Sequence, residues 1–309
     1  MTKRILITGA AGYIGHQLGN RLAEHYPVIG TDLRGRADVK FDIRVQDIRE
    51  PSLADFLQAQ QITHVVHLAS ILQASPDRAR DYDIDVNGTR NVLECCIKAG
   101  VQHFTVTSSG AAYGYHADNP AWIDEQDALR GNTEFAYSDH KRLIEEMLAD
   151  YRQQHPELQQ LIFRPGTVLG TDTRNQITNL FMAPRILALK GSDSPFVFIW
   201  DQDVIGAMEM GIREDKTGIY NMAGDGALTM PEIARRLNKP LLTLPVWLVK
   251  AGLQAAKWRG KPTGPEQVNF LRYRPVLSNR RLKEEFGYPL AKTSAETFEY
   301  FVEANGLRR

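Results

Sequence analysis

The stretch TGAAGYIG, residues 8–15, stands directly behind the apolar run Ile5-Leu6-Ile7. A glycine-rich turn between a buried strand and a helix is typical of a βαβ unit that cradles the phosphates of a dinucleotide. Gly9 can adopt a positive φ for the tight turn, Gly12 lets the backbone approach a pyrophosphate, and Gly15 lets the helix pack closely. The stretch therefore predicts a nucleotide-binding α/β unit, with a ligand-free βαβ unit as the alternative.

Asp32 ends the next predicted strand, 17 residues after Gly15. Near this spacing, a carboxylate accepts hydrogen bonds from the ribose hydroxyls of the adenosine. Because a carboxylate repels the additional phosphate of NADP, Asp32 favours NAD. Arg34 and Arg36 can accommodate that phosphate, so NADP stays open as an alternative.

Apolar runs alternate with helix-period segments through the first 170 residues. Several runs show no polar alternation, as expected for strands that helices cover on both faces. The predicted strands span residues 4–8, 28–31, 39–41, 64–68, 103–107 and 160–164. This order predicts an α/β protein with a Rossmann-type, doubly wound parallel sheet.

The alternation loosens after residue 170, where helical segments broken by Pro and Gly dominate. We predict a Rossmann domain over residues 1–170 and a smaller, mainly helical, interleaved substrate domain over residues 171–309. Two short strands, at 196–200 and 218–221, are predicted to return to the first domain. The smaller domain is expected beside the carboxyl ends of the strands, where open α/β sheets bind ligands.

The composition excludes several classes of function. The 309 residues suffice for a large core, and 37 Lys and Arg balance 37 Asp and Glu, which argues against nucleic acid or an anionic membrane as a partner. Cys95 and Cys96 are adjacent and cannot form a disulfide framework, which favours the cytoplasm. No apolar stretch reaches the roughly 20 residues that span a bilayer. The scattered histidines predict no metal site.

Two further stretches carry chemistry, VTSSGAAYG at 106–114 and YSDHK at 137–141. Tyr137 and Lys141 are four residues apart and share one face of a helix. An ammonium beside a phenol stabilises the phenolate, which can exchange a proton with an alcohol or carbonyl oxygen while a hydride moves to or from a nicotinamide. A serine at 108 or 109 can hold the same oxygen. Taken alone, Tyr and Lys at this spacing form an exposed helix pair.

These motifs, with QDIRE at 46–50, VVHLAS at 65–70, DVNGT at 85–89 and FRPGTVLG at 163–170, resemble the extended short-chain dehydrogenase/reductases. More closely, they resemble the NAD-dependent epimerase/dehydratase family, which includes UDP-galactose 4-epimerase. The resemblance covers at least residues 3–225. It implies a homodimer that joins through helices near 85–98 and 137–152.

The resemblance also implies roles for matching residues. Tyr137 would be the acid and base, Lys141 would lower its pKa and hold the nicotinamide ribose, and Ser109 would take the catalytic serine position. Thr167 and Asn179, with Ser109, would face the substrate. The cofactor would be bound by Gly9, Gly12, Tyr13, Ile14, Gly15, Asp32, Leu33, Arg34, Asp47, Ile48, Leu68, Ala69, Ser70, Asn87, Tyr137, Lys141, Arg164 and Gly166. Within that set, Tyr13 and Ile14 would lie along the pyrophosphate.

Further roles follow from the same resemblance. Asp47 and Ile48 would flank the adenine, and residues 68–70 would line the cofactor groove. Asn87 would sit behind the site, with helix packing as its alternative role. Gly166 would lie near the nicotinamide and the substrate.

The chain departs from the family at three places that bear on the reaction. Ser109-Gly110-Ala111 replaces the Thr-Asp-Glu of the dehydratases, so the acid pair that eliminates water is missing. Phe196 takes the place of an arginine that contacts the diphosphate of a sugar nucleotide, and Thr167 replaces an asparagine. Arg174 and Arg185 are candidates to substitute for the missing arginine. The favoured function is an NAD-dependent oxidoreductase or epimerase acting on a sugar or nucleotide sugar.

The segment LPVWLVKAGLQAAKWRGK, residues 244–261, leaves a different substrate open. Its bulky apolar residues include Trp247 and Trp258, and basic residues end it. The first interpretation is a helix packed on the smaller domain; the second is an apolar lid or a contact with a membrane surface. A lid would favour a lipophilic substrate, as in the 3β-hydroxysteroid dehydrogenases. A cofactor-sensing protein without catalysis is a third hypothesis.

Overall fold

A parallel sheet forms the centre of the protein. The structure, a computed structural model, describes residues 2–72, 75–259 and 264–308. The strands within these ranges are β1 (Ile5–Thr8), β2 (Val28–Asp32), β3 (Asp42–Val45), β4 (His64–His67), β5 (His103–Thr107), β6 (Gln159–Pro165), β7 (Thr167–Leu169), β8 (Ile186–Leu189), β9 (Phe198–Trp200), β10 (Gly218–Met222) and β11 (Leu241–Leu244). Seven of them form one sheet in the order β10-β6-β5-β4-β1-β2-β3, and every pair in it is parallel.

Helices cover both faces of this sheet. In the described ranges they are α1 (Tyr13–Leu22), α2 (Leu53–Ala59), α3 (Arg78–Tyr82), α4 (Gly88–Ala99), α5 (Ala136–Gln154), α6 (Gln176–Met182), α7 (Asp201–Arg213), α8 (Met230–Arg236), α9 (Val246–Trp258), α10 (Val268–Arg272), α11 (Arg280–Glu284) and α12 (Ser294–Ala304). A π-helical turn over Asp83–Asn87 joins α3 to α4. None of the helices in the described ranges is long and apolar enough to cross a membrane.

The predicted Rossmann-type fold is confirmed. Strands β1 and β4 are buried along their whole length, as expected for a sheet covered on two faces, and β4 buries His64 and His67 together with its two valines. The chain runs outward from β1 to β3, then continues on the other side of β1 with β4. At such a reversal the loops that follow the two adjacent strands diverge and leave a crevice for a ligand.

Two strand predictions need correction. The third strand, predicted at residues 39–41, lies at Asp42–Val45, and Phe41 before it packs its ring against Gly19 and Gly30. Of the two strands predicted to return to the first domain, β10 pairs with β6 at the edge of the main sheet. The other, β9, lies outside that sheet and pairs with β7.

The second part of the chain has its own apolar core. Five phenylalanine rings meet in it with centroid separations of 5.2 to 6.5 Å, and they belong to Phe181, Phe196, Phe198, Phe298 and Phe301. This core stands beside the sheet and brings together residues that are about a hundred positions apart. The domain boundary at residue 170 stays a prediction.

Candidate active site

The turn after β1 leaves no room for a side chain at Gly9 or Gly15. Gly9 has a φ of 68°, and a Cβ atom on it would lie 2.7 Å from the Ala69 nitrogen. A Cβ atom on Gly15 would collide with the Gly9 carbonyl oxygen and lie 3.0 Å from the Ala10 Cα. Gly15 therefore packs the first turn of α1 against the glycine turn itself. Gly12 stands at the N-cap of α1 without a side-chain cap, so the helix N-terminus stays open to an anion.

Asp32 lies beside this turn at the carboxyl end of β2. One of its carboxylate oxygens accepts a hydrogen bond from the Ala11 N–H at 3.0 Å, which fixes the side chain next to the loop. Arg36 forms hydrogen bonds of 2.7 and 2.8 Å with Asp38, while Arg34 is exposed. The open helix end, the tight glycine turn and the placed carboxylate fit the phosphates and ribose of NAD.

The remaining residues predicted for the cofactor lie in different environments. Leu68, Ala69 and Ser70 follow β4 and are half-buried beside Gly9. Among the loop residues, Leu33 is exposed, Asp47 is paired with Arg49 at 2.6 Å, and Ile48 is buried. Ile14, in the first turn of α1, is half-buried.

Tyr13 directs its side chain towards α7. Its hydroxyl donates a hydrogen bond of 2.6 Å to the carboxylate of Asp201. Burial, together with this carboxylate, raises the pKa of Tyr13 to about 12. Its side chain therefore ties α1 to α7, which leaves its backbone as the part that can lie along a pyrophosphate.

The prediction that Asn87 sits behind the site is wrong. Asn87 is exposed, and its side chain donates a hydrogen bond of 2.9 Å to Asp83. Asp85 takes the buried position instead. One of its oxygens accepts hydrogen bonds from the Ile71 N–H at 2.8 Å and the Ser70 hydroxyl at 3.2 Å, and the other lies 3.0 Å from the His140 Nδ1. Asp85 thus joins the loop after β4 to helix α5.

Arg164 also differs from its predicted role in cofactor binding. It is buried, donates two hydrogen bonds of 2.7 and 2.5 Å to Glu145, and donates a third of 2.8 Å to the Tyr113 hydroxyl. A fourth goes to the Glu125 carbonyl at 3.1 Å. These partners use four of the five guanidinium donors, so Arg164 holds α5 and the loop after β5 on the sheet.

Ser109, Tyr137 and Lys141 come together at the carboxyl end of β5. The Lys141 ammonium donates a hydrogen bond of 3.0 Å to the Thr107 carbonyl and lies 5.7 Å from the centre of the Tyr137 ring. Burial raises the pKa of Tyr137, while a hydrogen bond with Ser109 acts in the opposite direction. Burial lowers the pKa of Lys141, and the carboxylate of Asp85 opposes that shift. Ser109 is thus the serine that lies against Tyr137.

A buried polar chain beneath these residues could not be identified from the motifs alone. Thr89 donates a hydrogen bond of 2.5 Å to the Asp85 carbonyl, so the His67 Nε2, 3.0 Å away, must donate to Thr89. The His67 Nδ1 then accepts from the Thr8 hydroxyl at 2.8 Å. Burial lowers the pKa of His67 to about 3, so its ring is neutral. The motifs VVHLAS and DVNGT contain three of these residues, but spacing does not show that they meet.

Arg274 is the second feature that the sequence did not reveal. It is 8% exposed, and its guanidinium carbon lies 3.8 Å above the ring of Phe196. One nitrogen donates to the Ser194 carbonyl at 2.8 Å, whereas the buried Nε has no hydrogen-bond partner among the described residues. Burial lowers the pKa of Arg274 to about 9. The Arg274 guanidinium therefore packs on Phe196, the residue that replaces the family's arginine.

Tyr115 lies between Arg274 and the catalytic candidates. Its hydroxyl lies within electrostatic range of Tyr137 and Arg274, and its ring centre lies 5.2 Å from that of Phe270.

Arg174 and Arg185, which the sequence offered as substitutes for the missing arginine, are both exposed.

The residues predicted to face the substrate from beyond β6 are less buried than the Ser109–Tyr137–Lys141 cluster. Thr167 is half-buried at the start of β7, and Asn179 is exposed on α6. Gly166 lies so close to β9 that a Cβ atom on it would be 2.9 Å from the Val197 side chain.

The profile of the NAD dependent epimerase/dehydratase family matches residues 5–211, which include the glycine turn and the Ser109–Tyr137–Lys141 cluster. The chain belongs to this family. The match confirms the predicted epimerase/dehydratase family and, with it, NAD as the cofactor.

Relatives in this family carry out different reactions. The chain is 29% identical over 190 residues to a UDP-glucose 4-epimerase of Erwinia amylovora, across 56% of each chain. It is 28% identical over 181 residues to an N-acetyl-glucosaminyl-diphospho-undecaprenol 4-epimerase of Escherichia coli, across 58% of this chain and 53% of the relative. A UDP-glucuronic acid decarboxylase of Arabidopsis thaliana is 25% identical, across 85% of this chain and 79% of the relative.

Solved structures share the fold. The UDP-glucose 4-epimerase of Thermus thermophilus in complex with NAD has a TM-score of 0.73 and 22% identity, across 97% of this chain and 98% of that one. The enzyme WbmG of Bordetella bronchiseptica, in complex with NAD and UDP, has a TM-score of 0.76 and 18% identity, across 98% of this chain and 94% of that one.

Proposed function

We propose that this protein is an NAD-dependent epimerase or oxidoreductase that acts on a secondary hydroxyl of a nucleotide sugar. The observation that carries the proposal is the meeting of Ser109, Tyr137 and the buried Lys141 at the sheet edge that also bears the glycine turn. To take a proton from a substrate hydroxyl, Tyr137 must form a phenolate, and an ammonium nearby stabilises that phenolate.

The chain's own residues would divide the work as follows. The Ser109 hydroxyl holds the substrate oxygen, and the Tyr137 phenolate takes the proton from that oxygen and later returns it. Lys141, anchored on the Thr107 carbonyl, places its amino group next to Tyr137. The glycine turn and Asp32 would hold NAD, which supplies the chemistry of hydride acceptance and return.

Arg274 supports an anionic substrate. A buried guanidinium without a carboxylate partner is costly, unless an anion neutralises it when the site is filled. The planar guanidinium can donate paired hydrogen bonds to a phosphate. We assign Arg274 to the diphosphate of the substrate, in the role that the family gives to an arginine at the position of Phe196.

Elimination of water is not part of the proposal. Gly110 and Ala111 carry no acid at the positions where dehydratases have one. A second candidate function, a dehydrogenase for a lipophilic alcohol, is favoured by the exposed apolar residues of α9. A homodimer and a cytoplasmic location stay predictions.

The decisive test incubates the purified protein with NAD and UDP-sugars and follows both isomerisation and NADH absorbance. We expect Tyr137→Phe to lower kcat by about 100- to 10,000-fold, because the proton carrier is removed. Tyr151→Phe is the matched control, since Tyr151 lies on the same helix but its hydroxyl contacts Glu94.

Other outcomes would replace the proposal. Turnover of lipophilic alcohols with net NADH formation, and none of nucleotide sugars, would establish the second candidate. If the protein binds NAD but turns over neither class of substrate, and Tyr137→Phe changes nothing that can be measured, a cofactor sensor becomes the favoured hypothesis.

A further inference from the structure

Helix α9 presents an apolar face away from the protein. Trp247 is 70% exposed, Trp258 is 80% exposed and Leu248 is 41% exposed, whereas Val249 is buried. The interpretation of this segment as a packed helix therefore holds for one side only, where Val249 and Leu253 contact a small apolar cluster. The segment's last two residues, 260 and 261, lie outside the described residues.

Helical geometry places the two tryptophans together. Trp247 and Trp258 are 11 residues apart, which is close to three turns at about 3.6 residues per turn. Ala251, Ala255 and Leu248 fall on the same side. We call these five residues the outer face of α9. These five residues are apolar and have a tryptophan at each end, and Gln254 lies at one border of the face.

Basic residues border this outer face, and acidic residues are absent from the sequence around it. Residues 233–265 contain no Asp or Glu but seven Lys and Arg. Lys250 and Arg259 are exposed on α9 or directly after it. An apolar helix face with tryptophans and basic flanks is the pattern of helices that lie in a membrane interface.

Two further apolar residues close to α9 in the sequence are exposed. Leu241 and Leu242 on β11, which directly precedes α9, are 39% and 36% exposed. Helix α9 has 13 residues, so it is too short to cross a bilayer and suits a position parallel to its surface.

We propose that the outer face of α9 docks this protein on an anionic bilayer surface. The apolar side chains would enter the boundary between headgroups and acyl chains, and the basic residues would contact anionic headgroups. A second copy of the chain fits this surface less well, because a twofold contact would bring the basic borders of both copies together. The docking does not depend on the reaction proposed above.

The test is flotation of the full chain with vesicles of phosphatidylcholine alone, or of phosphatidylcholine with one third phosphatidylglycerol. We expect binding to the anionic vesicles that weakens as salt rises. The double variant Trp247→Ser, Trp258→Ser should lose this binding, whereas Trp122→Ser, at an exposed tryptophan elsewhere, should keep it. Reversal of Lys250 and Arg259 to Glu should lower the partition coefficient by about thirtyfold or more.

Three results would overturn the docking. The first is equal binding to neutral and anionic vesicles, or none to either. The second is retention of binding by the double tryptophan variant with unchanged circular dichroism. The third is a concentration-dependent dimer, seen by sedimentation without lipid, that the double variant abolishes, because the outer face would then be a contact between copies.

Discussion

Replacement of Arg274 by Met separates a binding role of this residue from a structural one. Methionine has a similar length and can keep the contact with the Phe196 ring, but it brings no charge. The substitution removes the hydrogen bond to the Ser194 carbonyl, worth about 1 kcal/mol, and the cation–π contact, worth about 1 kcal/mol. It also removes a buried charge that has no ion-pair partner in the described ranges. The free energy that burial of this charge costs is at least as large as the two lost contributions together. We therefore expect an unfolding free energy within about 1 kcal/mol of the parent.

Substrate binding should respond much more strongly. Hydrogen bonds to a charged group contribute about 1.5–3 kcal/mol, which corresponds to a rise in KM for a UDP-sugar of roughly 10- to 150-fold. The assay measures KM and kcat for the UDP-sugar, the Kd for NAD, and the urea unfolding midpoint. Arg185→Met is the matched control, because Arg185 is exposed and should leave all four values unchanged. A loss of several kcal/mol in stability with an unchanged KM would refute the anion-binding role of Arg274.

Two further substitutions test the cofactor cradle and the polar chain beneath it. Gly15→Ala should weaken NAD binding at least about tenfold, because the added Cβ would collide with the Gly9 carbonyl. Calorimetry measures the Kd for NAD. Gly35→Ala is the control, since a Cβ at that position meets no atom within 4 Å. His67 has a pKa near 3 in the folded protein and 6.5 in the unfolded chain. Between these two pH values only the unfolded chain binds a proton at this residue. Acidification through that range therefore lowers the free energy of unfolding by up to about 1.4 kcal/mol per pH unit. His67→Gln should remove this part of the pH dependence, as followed by urea unfolding between pH 7 and pH 4, and an unchanged slope would contradict a neutral buried ring.

The first half of the fold could be predicted because its signals are local. Gly9, Gly12 and Gly15 mark a turn whose tightness depends on residues a few positions apart, and uninterrupted apolar runs mark strands covered on both faces. The cluster of Tyr137 and Lys141 is local for the same reason, since four residues make one helical turn.

The mistaken role of Asn87 has a specific physical cause. In the motif DVNGT two polar residues, Asp85 and Asn87, flank Val86, and an α-helical periodicity does not show which of them points inward. The structure forms a π-helical turn over Asp83–Asn87, which winds more residues per turn and shifts the phase of the chain. As a result Asp85 points inward and Asn87 outward. Arg274 could not be found for another reason, because it lies 78 positions from Phe196 and only tertiary packing joins them.

The charge of the whole chain is a poor guide to its surface. Equal numbers of acidic and basic residues argue against an anionic membrane only if the charges are mixed along the chain. Here residues 233–265 hold seven basic and no acidic residues, so the rest of the chain carries an excess of seven acidic ones. An anionic surface would attract α9 and repel much of the remainder, which favours a single orientation of the docked protein. If the protein docks through α9, chemical labelling on anionic vesicles should modify Lys250 and Arg259 less than it does without vesicles. Basic residues on the opposite side of the protein should be labelled equally in both cases.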